Sequence, residues 1–193
     1  MSTKFKQAIQ LFDKANSKDP FEETSNGKTL PKELLYAQRM SHQLNAFEPN
    51  ASEAVQLAAR CQHICRWEIP RDSYEKNRIG YLKWRKDLNK FHAKKASGIL
   101  KIVGYDDTLI DKVTFLLQKK QLKKNKNTQL LEDVICLVFL NFYFEKFSTK
   151  YSEIKLIDIL QKTWSKMSEN GHKAALKINF SENALALIKK AIS

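Results

Sequence analysis

Residues 62–71 read QHICRWEIPR and hold a histidine, two arginines and a tryptophan. If EAVQLAARCQHICRW is one helix, Arg60, His63, Arg66 and Trp67 follow at offsets of three, six and seven and project from one face. The next helical segment carries a matching stripe, Tyr81, Arg85, Leu88 and His92, at offsets of four, seven and eleven, with Trp84 and Phe91 on the neighbouring apolar side. Arg71, Tyr74 and Arg78 lie between the two segments. Arg66, Arg71, Arg78 and Arg85 with Tyr74 and Tyr81 can clamp a phosphate, because guanidinium forks match its oxygens in pairs. Arg66 and Arg85 would also offset charge that develops during reaction. Ordinary surface ion pairs to Glu68, Asp72 and Glu75 are the alternative for each arginine taken singly.

Glu132 and Asp133 open the most apolar stretch of the chain, which runs on through VICLVFLNFYF. A helix apolar on nearly every side is buried, so these carboxylates require a cation, a donor or a metal. First-turn charge on the helix dipole would account for them without any site. The sharper expectation joins His63, His92 and Asp133, from three helices, as ligands of a divalent metal ion, since a hydrolytic site needs neutral imidazoles and a carboxylate with open positions. Glu132 would then orient or deprotonate the attacking water. His42, one turn after Arg39, is a weaker candidate ligand, and His172 reads as a cap or loop residue. Cys61 and Cys65 are four apart with no second cysteine pair, so with Cys136 they read as core residues. KKQLKKNKN, between Lys119 and Lys126, reads either as a solvated connector or as a contact for RNA or DNA backbone.

The elements that must position these groups are helices. Five glycines and four prolines punctuate 193 residues, and apolar residues recur mostly at spacings of three and four. Eight segments qualify: Lys4 to Asn16, the run KELLYAQRMSHQL with Pro31 at its start, the EAVQ segment N-capped by Ser52, Arg78 to Ile102 stopped by Gly104, DDTLIDKVTFLLQKKQL, QLLEDVICLVFLNFYFEKF, SEIKLIDILQKTWSKM and SENALALIKKAI. SKDPFEETSNGKTLP is expected to be a loop, and no strand pattern is read. No repeat or linker divides the chain, so residues 1–193 are expected to form one all-α domain, a bundle of about seven to eight helices.

Composition narrows the function classes. The longest apolar run falls far short of the ~20 residues a spanning helix needs. No secretory leader is read, and three cysteines are an odd number, so reduced thiols and a cytoplasmic location are expected. A formal charge of +13 favours polyanionic partners: nucleotides, phosphorylated metabolites or RNA.

PKELLYAQRM, ASEAVQLAARCQHICRWEIPR, NRIGYLKWR, FHA, LEDVICLVFL and KTWSKMSENGHKAAL together resemble the family of domains of unknown function numbered 4202, whose pattern on the second helix centres on Tyr36 and Arg39. This places Arg39 with the substrate-binding residues Arg66, Trp67, Arg71, Tyr74, Arg78, Tyr81 and Arg85. A weaker similarity is to HD-domain phosphohydrolases, which implies an HD-domain-like helical fold and a metal site. His63 would match the histidine of their His-Asp pair and Asp133 their distant aspartate, but Ile64 stands where the paired aspartate belongs. The expectation from the whole chain is a metal-dependent phosphohydrolase-like enzyme acting on a nucleotide or small phosphorylated compound. The alternative is a non-catalytic basic module that binds RNA or a nucleotide.

Overall fold

A computed structural model describes residues 2–192, which are mostly helical, with ten α-helices and one two-stranded sheet. The chain forms two compact units, one ending at Lys120 and the other starting at Gln121.

The first unit holds α1 (Thr3–Asn16), the strands β1 (Glu22–Ser25) and β2 (Lys28–Pro31), α2 (Lys32–Phe47), α3 (Glu53–Arg60), α4 (Arg78–Val103) and α5 (Asp107–Leu117). Its core is aliphatic and aromatic, with Phe12, Met40, Val55, Leu57, Ile64, Leu88, Leu100 and Val113 fully buried. In α3, the alanines 54, 58 and 59 are buried with Val55 and Leu57, and small side chains let neighbouring helices approach closely. α3 packs against α1, α2 and α5, and α4 lies along α1 and α5. Gly104 ends α4 in the left-handed conformation, as the sequence reading expected.

Two expectations are corrected here. The segment read as a loop contains an antiparallel hairpin in which Ser25 pairs with Lys28 and Glu22 with Pro31. Its two-residue connection, Asn26-Gly27, has positive φ at both positions. A type I′ turn requires this, and glycine supplies it without steric cost. The second correction concerns the third helix, which stops at Arg60 instead of continuing to Trp67. Residues 61–65 form turns, Cys65 takes a left-handed φ of 52°, and a short 3₁₀ turn covers Arg66–Glu68. The left-handed Cys65 is held because its N–H donates to the Oδ1 of buried Asn16 at 2.9 Å.

The second unit contains α6 (Lys126–Val138), α7 (Phe144–Ser148), α8 (Glu153–Trp164), α9 (Glu169–Ala175) and α10 (Glu182–Ile192). A π-helical turn, Phe139–Tyr143, separates α6 from α7. That break and the independent α9 explain why ten helices replace the seven or eight expected. Leu131, Val134, Leu137, Val138, Phe144, Leu156, Leu160 and Ile188 are buried in this unit. α9 begins on the carboxylate of Asp133 in α6: Ser168 donates its N–H to Oδ1 at 2.7 Å and its hydroxyl to Oδ2 at 2.6 Å. Gly171 lies so close that a Cβ built on it would stand 2.7 Å from that Oδ1. Gly171→Ala is therefore expected to destabilise the protein by about 1–3 kcal/mol, read as a lower midpoint in urea unfolding, whereas the same change at Gly98, whose Cβ would meet nothing within 4 Å, should not destabilise.

Candidate functional site

The site is built around Glu33, which the sequence reading did not single out. Its backbone is held at both ends: the N–H donates to Asp19 Oδ2 at 2.9 Å, and the carbonyl accepts from Asn16 Nδ2 at 3.4 Å. The first bond satisfies an amide that the start of α2 leaves without an intrahelical partner. Glu33 is 6% exposed, and burial raises its carboxyl from the usual 4.5 to about 7 although Arg66 and Lys32 oppose the shift.

Glu33 Oε2 lies 3.2 Å from His63 Nδ1, and His63 Nε2 lies 3.1 Å from Arg66 Nη1. A guanidinium only donates, so Nε2 is the acceptor and Nδ1 carries the proton that it donates to Glu33. The imidazole is thereby fixed as one neutral tautomer. Burial, reinforced by the nearby cations Arg66, Arg85, Lys119 and Lys32, holds its pKa well below the ordinary histidine range. Tyr36 stacks flat on the ring, with centroids 4.0 Å apart and planes 13° from parallel, and donates its hydroxyl to Gln62 Oε1 at 3.1 Å.

α4 brings His92 and Arg85 to the same place. The His92 ring centre is 5.8 Å from that of His63. His92 is 2% exposed, and its Nε2 has no hydrogen-bond partner among the described residues. Burial, then His63, Arg66 and Arg85, also keep it neutral. Arg66 lies 4.8 Å above the Trp84 ring, and its Nε is 3.9 Å from Glu33 Oε1. Burial lowers the Arg66 pKa, Glu33 opposes that shift, and the charge of Arg85 adds to it. Arg85 itself is half-buried.

The other sequence candidates disperse. Because α3 ends at Arg60, His63, Arg66 and Trp67 do not share its face, and Arg60 forms a two-pronged pair with Asp13 at 2.7 and 2.6 Å. Arg39 is spent on the hairpin, reaching Glu23 at 2.5 Å and Ser25 at 3.2 Å. Arg71 caps the carbonyls of Tyr74 and Glu75 at 3.0 and 2.6 Å, and Tyr74 donates its hydroxyl to Asp87 at 3.1 Å. Arg78 is exposed at the start of α4; Tyr81, also exposed, stays with the site, its ring centre 5.9 Å from that of Trp84 beneath Arg66. Trp67 lines a separate groove with Cys65, Phe91, Lys94 and Lys95. His42 is exposed, while His172 lies on α9, stacked on Trp164 at 4.1 Å. The three cysteines are buried and form no disulfide among the described residues.

Glu132 and Asp133 belong to the second unit. Both are buried, and the Asp133 carboxylate accepts from Ser168 and from Gln129 Nε2 at 3.0 Å. Among the described residues, no group of three or more His, Cys, Asp or Glu side chains is placed to hold a metal ion. His63 and His92 form a set of two donors. Two imidazoles sharing an ion at ~2.1 Å from each nitrogen have ring centres roughly 5–6 Å apart, and the observed separation is 5.8 Å. A carboxylate on the far nitrogen, as Glu33 is on His63, is the usual orienting partner of a ligating histidine. No described helix is long and apolar enough to cross a membrane.

Residues 6–188 match the family model described as a domain of unknown function, DUF4202. No curated protein and no solved structure matches the chain.

The raised carboxyl makes a pH prediction. Glu33 binds its proton more tightly in the folded than in the unfolded chain, so its contribution is fully favourable below the unfolded value of 4.5 and is lost as pH rises through about 7. The stability of the wild type relative to Glu33→Gln should therefore fall between pH 4.5 and 8, by at most about 3 kcal/mol. Paired urea unfolding curves in chelator measure this; a difference that rises with pH would show Glu33 ionised in the fold.

Proposed function

The chain belongs to the DUF4202 family, and we propose that it is a phosphohydrolase-like enzyme that acts on a nucleotide or small phosphorylated compound at the Glu33–His63–His92 cluster of its first unit. The observation that carries this reading is a pair of neutral imidazoles facing guanidinium groups, one aligned by a carboxyl that titrates near neutrality and the other with an unpartnered buried nitrogen. A purely structural cluster gains nothing from an orphaned buried nitrogen, which costs desolvation energy.

In the proposed reaction, Arg66 releases His63 Nε2 and turns toward the phosphate with Arg85, offsetting the charge that builds on the phosphoryl oxygens. Glu33 keeps the Nδ1–H of His63 in place and exchanges a proton at neutral pH. A divalent ion held by the Nε2 atoms of His63 and His92 would supply a polarised water and further charge neutralisation. Glu132 and Asp133 are not needed in this scheme, and the Asp133 oxygens already accept three hydrogen bonds. The HD-domain parallel enters only as the general use of histidines and a carboxyl for phosphate hydrolysis. The alternative RNA- or nucleotide-binding module rests on the charge of +13 and the lysine-rich connector alone.

Metal content by elemental analysis and phosphate release from a panel of nucleotides and sugar phosphates test the proposal. His63→Ala and His92→Ala should each lower kcat by at least about 100-fold and reduce bound divalent ion, with Lys86→Met as the surface control. Undiminished turnover in the double His63→Ala, His92→Ala variant, or no phosphate release with any divalent ion supplied, would remove it.

A further inference from the structure

Every arginine of the chain lies between Arg39 and Arg85, so the use of each can be followed. Arg39 is neutralised by Glu23, and Arg60 by Asp13. Arg71 is committed to backbone carbonyls. Arg78 is exposed in the first turn of α4. Two remain, Arg66 and Arg85, and they are close enough for the charge of Arg85 to act on Arg66 and on both histidines. Arg85 makes no hydrogen bond and no ion pair with any described residue. Arg66 donates one Nη1 hydrogen to His63 Nε2 at 3.1 Å and stands 3.9 Å from Glu33 Oε1 through Nε, which leaves the rest of its fork for a ligand.

Like charges gathered in a half-buried site repel, and the fold keeps them only where another interaction offsets that repulsion. The two guanidiniums face the single carboxyl group of Glu33, and Lys32 and Lys119 add further positive charge around His63. Trp84 fixes the Arg66 end of this arrangement, since its ring supports the guanidinium at 4.8 Å and its own N–H is anchored on Ile69 O at 2.9 Å.

We propose that Arg66 and Arg85 form a seat for the terminal phosphoryl group of a phosphomonoester, so that the site accepts monoesters and rejects diesters such as an RNA backbone. The charge match favours this class. A monoester carries about −1.5 to −2 at neutral pH with three acceptor oxygens, enough for two forks at once. A diester offers one charge and two such oxygens, and leaves one guanidinium without a counter-charge. The proposal deepens the phosphohydrolase reading and rests on its phosphate chemistry, but not on turnover or on a metal ion.

The test is equilibrium binding of inorganic phosphate, methyl phosphate and dimethyl phosphate by calorimetry, in chelator so that no ion bridges the ligand. Wild type should bind the first two and bind dimethyl phosphate at least roughly tenfold more weakly. Arg85→Met should weaken phosphate binding roughly 10- to 100-fold without lowering the urea midpoint, since it removes a repelling charge, and Lys86→Met should bind as wild type. Arg85→Lys, which keeps the charge but loses the fork, should fall between; it carries the test if Arg85→Met does not fold. Phosphate binding unchanged in Arg85→Met and Arg85→Lys, or equal affinity for dimethyl phosphate, overturns the proposal. Glu33→Gln separates this outcome from that of the enzymatic reading: it should retain phosphate binding whether or not any turnover exists to be lost.

Discussion

The arrangement of the first unit depends on the burial of one carboxyl group. Glu33 sits where α2 begins, its backbone clamped by Asp19 and Asn16 and its side chain turned inward onto His63. A carboxyl taken out of water raises its pKa unless charges compensate, and here Arg66 and Lys32 compensate only in part. The group is thereby left near neutrality, where it can orient an imidazole and also exchange a proton. The same two residues that hold Glu33 shape its neighbourhood. Asn16 also receives the N–H of Cys65, and Asp19 also receives that of Phe21 ahead of the hairpin. Three separate segments of chain are therefore tied at one point by two short polar side chains.

The early end of α3 follows from that tie. A regular helix through residues 61–65 would leave Asn16 Oδ1 buried and without the N–H of Cys65, and would carry His63 away from Glu33. The chain instead accepts a left-handed Cys65, a conformation that costs a non-glycine residue on the order of 1 kcal/mol, in exchange for a buried hydrogen bond of comparable net value. Ile64 is fully buried by the turn, and Gln62 reaches Tyr36. Backbone strain of this sort beside a polar cluster is a frequent accompaniment of function.

How much of this was legible in the sequence follows from the range of each interaction. Helix limits set by local signals were readable: Gly104 stops α4, and α1 ends at Asn16. The stripe on α4 was readable too, because Arg85 and His92 share a face by helix geometry alone, and the structure brings both to His63 and Arg66. The Asn26-Gly27 pair was a readable hairpin signal that was overlooked. Glu33 was hidden for a different reason. An acidic residue in a first turn looks like an ordinary partner of the helix dipole, and its burial is decided by residues 14 and 17 positions before it. The break after Arg60 was equally beyond local patterning, since the residue responsible lies 49 positions from Cys65. Within the second unit, Asp133 was rightly read as buried, but its partner Ser168 lies 35 positions away.

The fates of the arginines show why residue type and clustering are weak evidence taken alone. Arg66, Arg71, Arg78 and Arg85, with Tyr74 and Tyr81, were grouped as one phosphate clamp because their side chains could all serve. The structure divides them by what each already touches. A guanidinium that closes a two-pronged pair with a carboxylate, as Arg60 does with Asp13, has its charge and its geometry used. One that caps a row of carbonyls, as Arg71 does, stabilises a loop that no other donor reaches. Only a guanidinium with donors left over, held beside another cation and away from bulk water, stores an attraction for an anion that the protein itself does not satisfy. Arg85 meets that description, and its place two turns before His92 on the same face of α4 brings its charge to bear on that histidine.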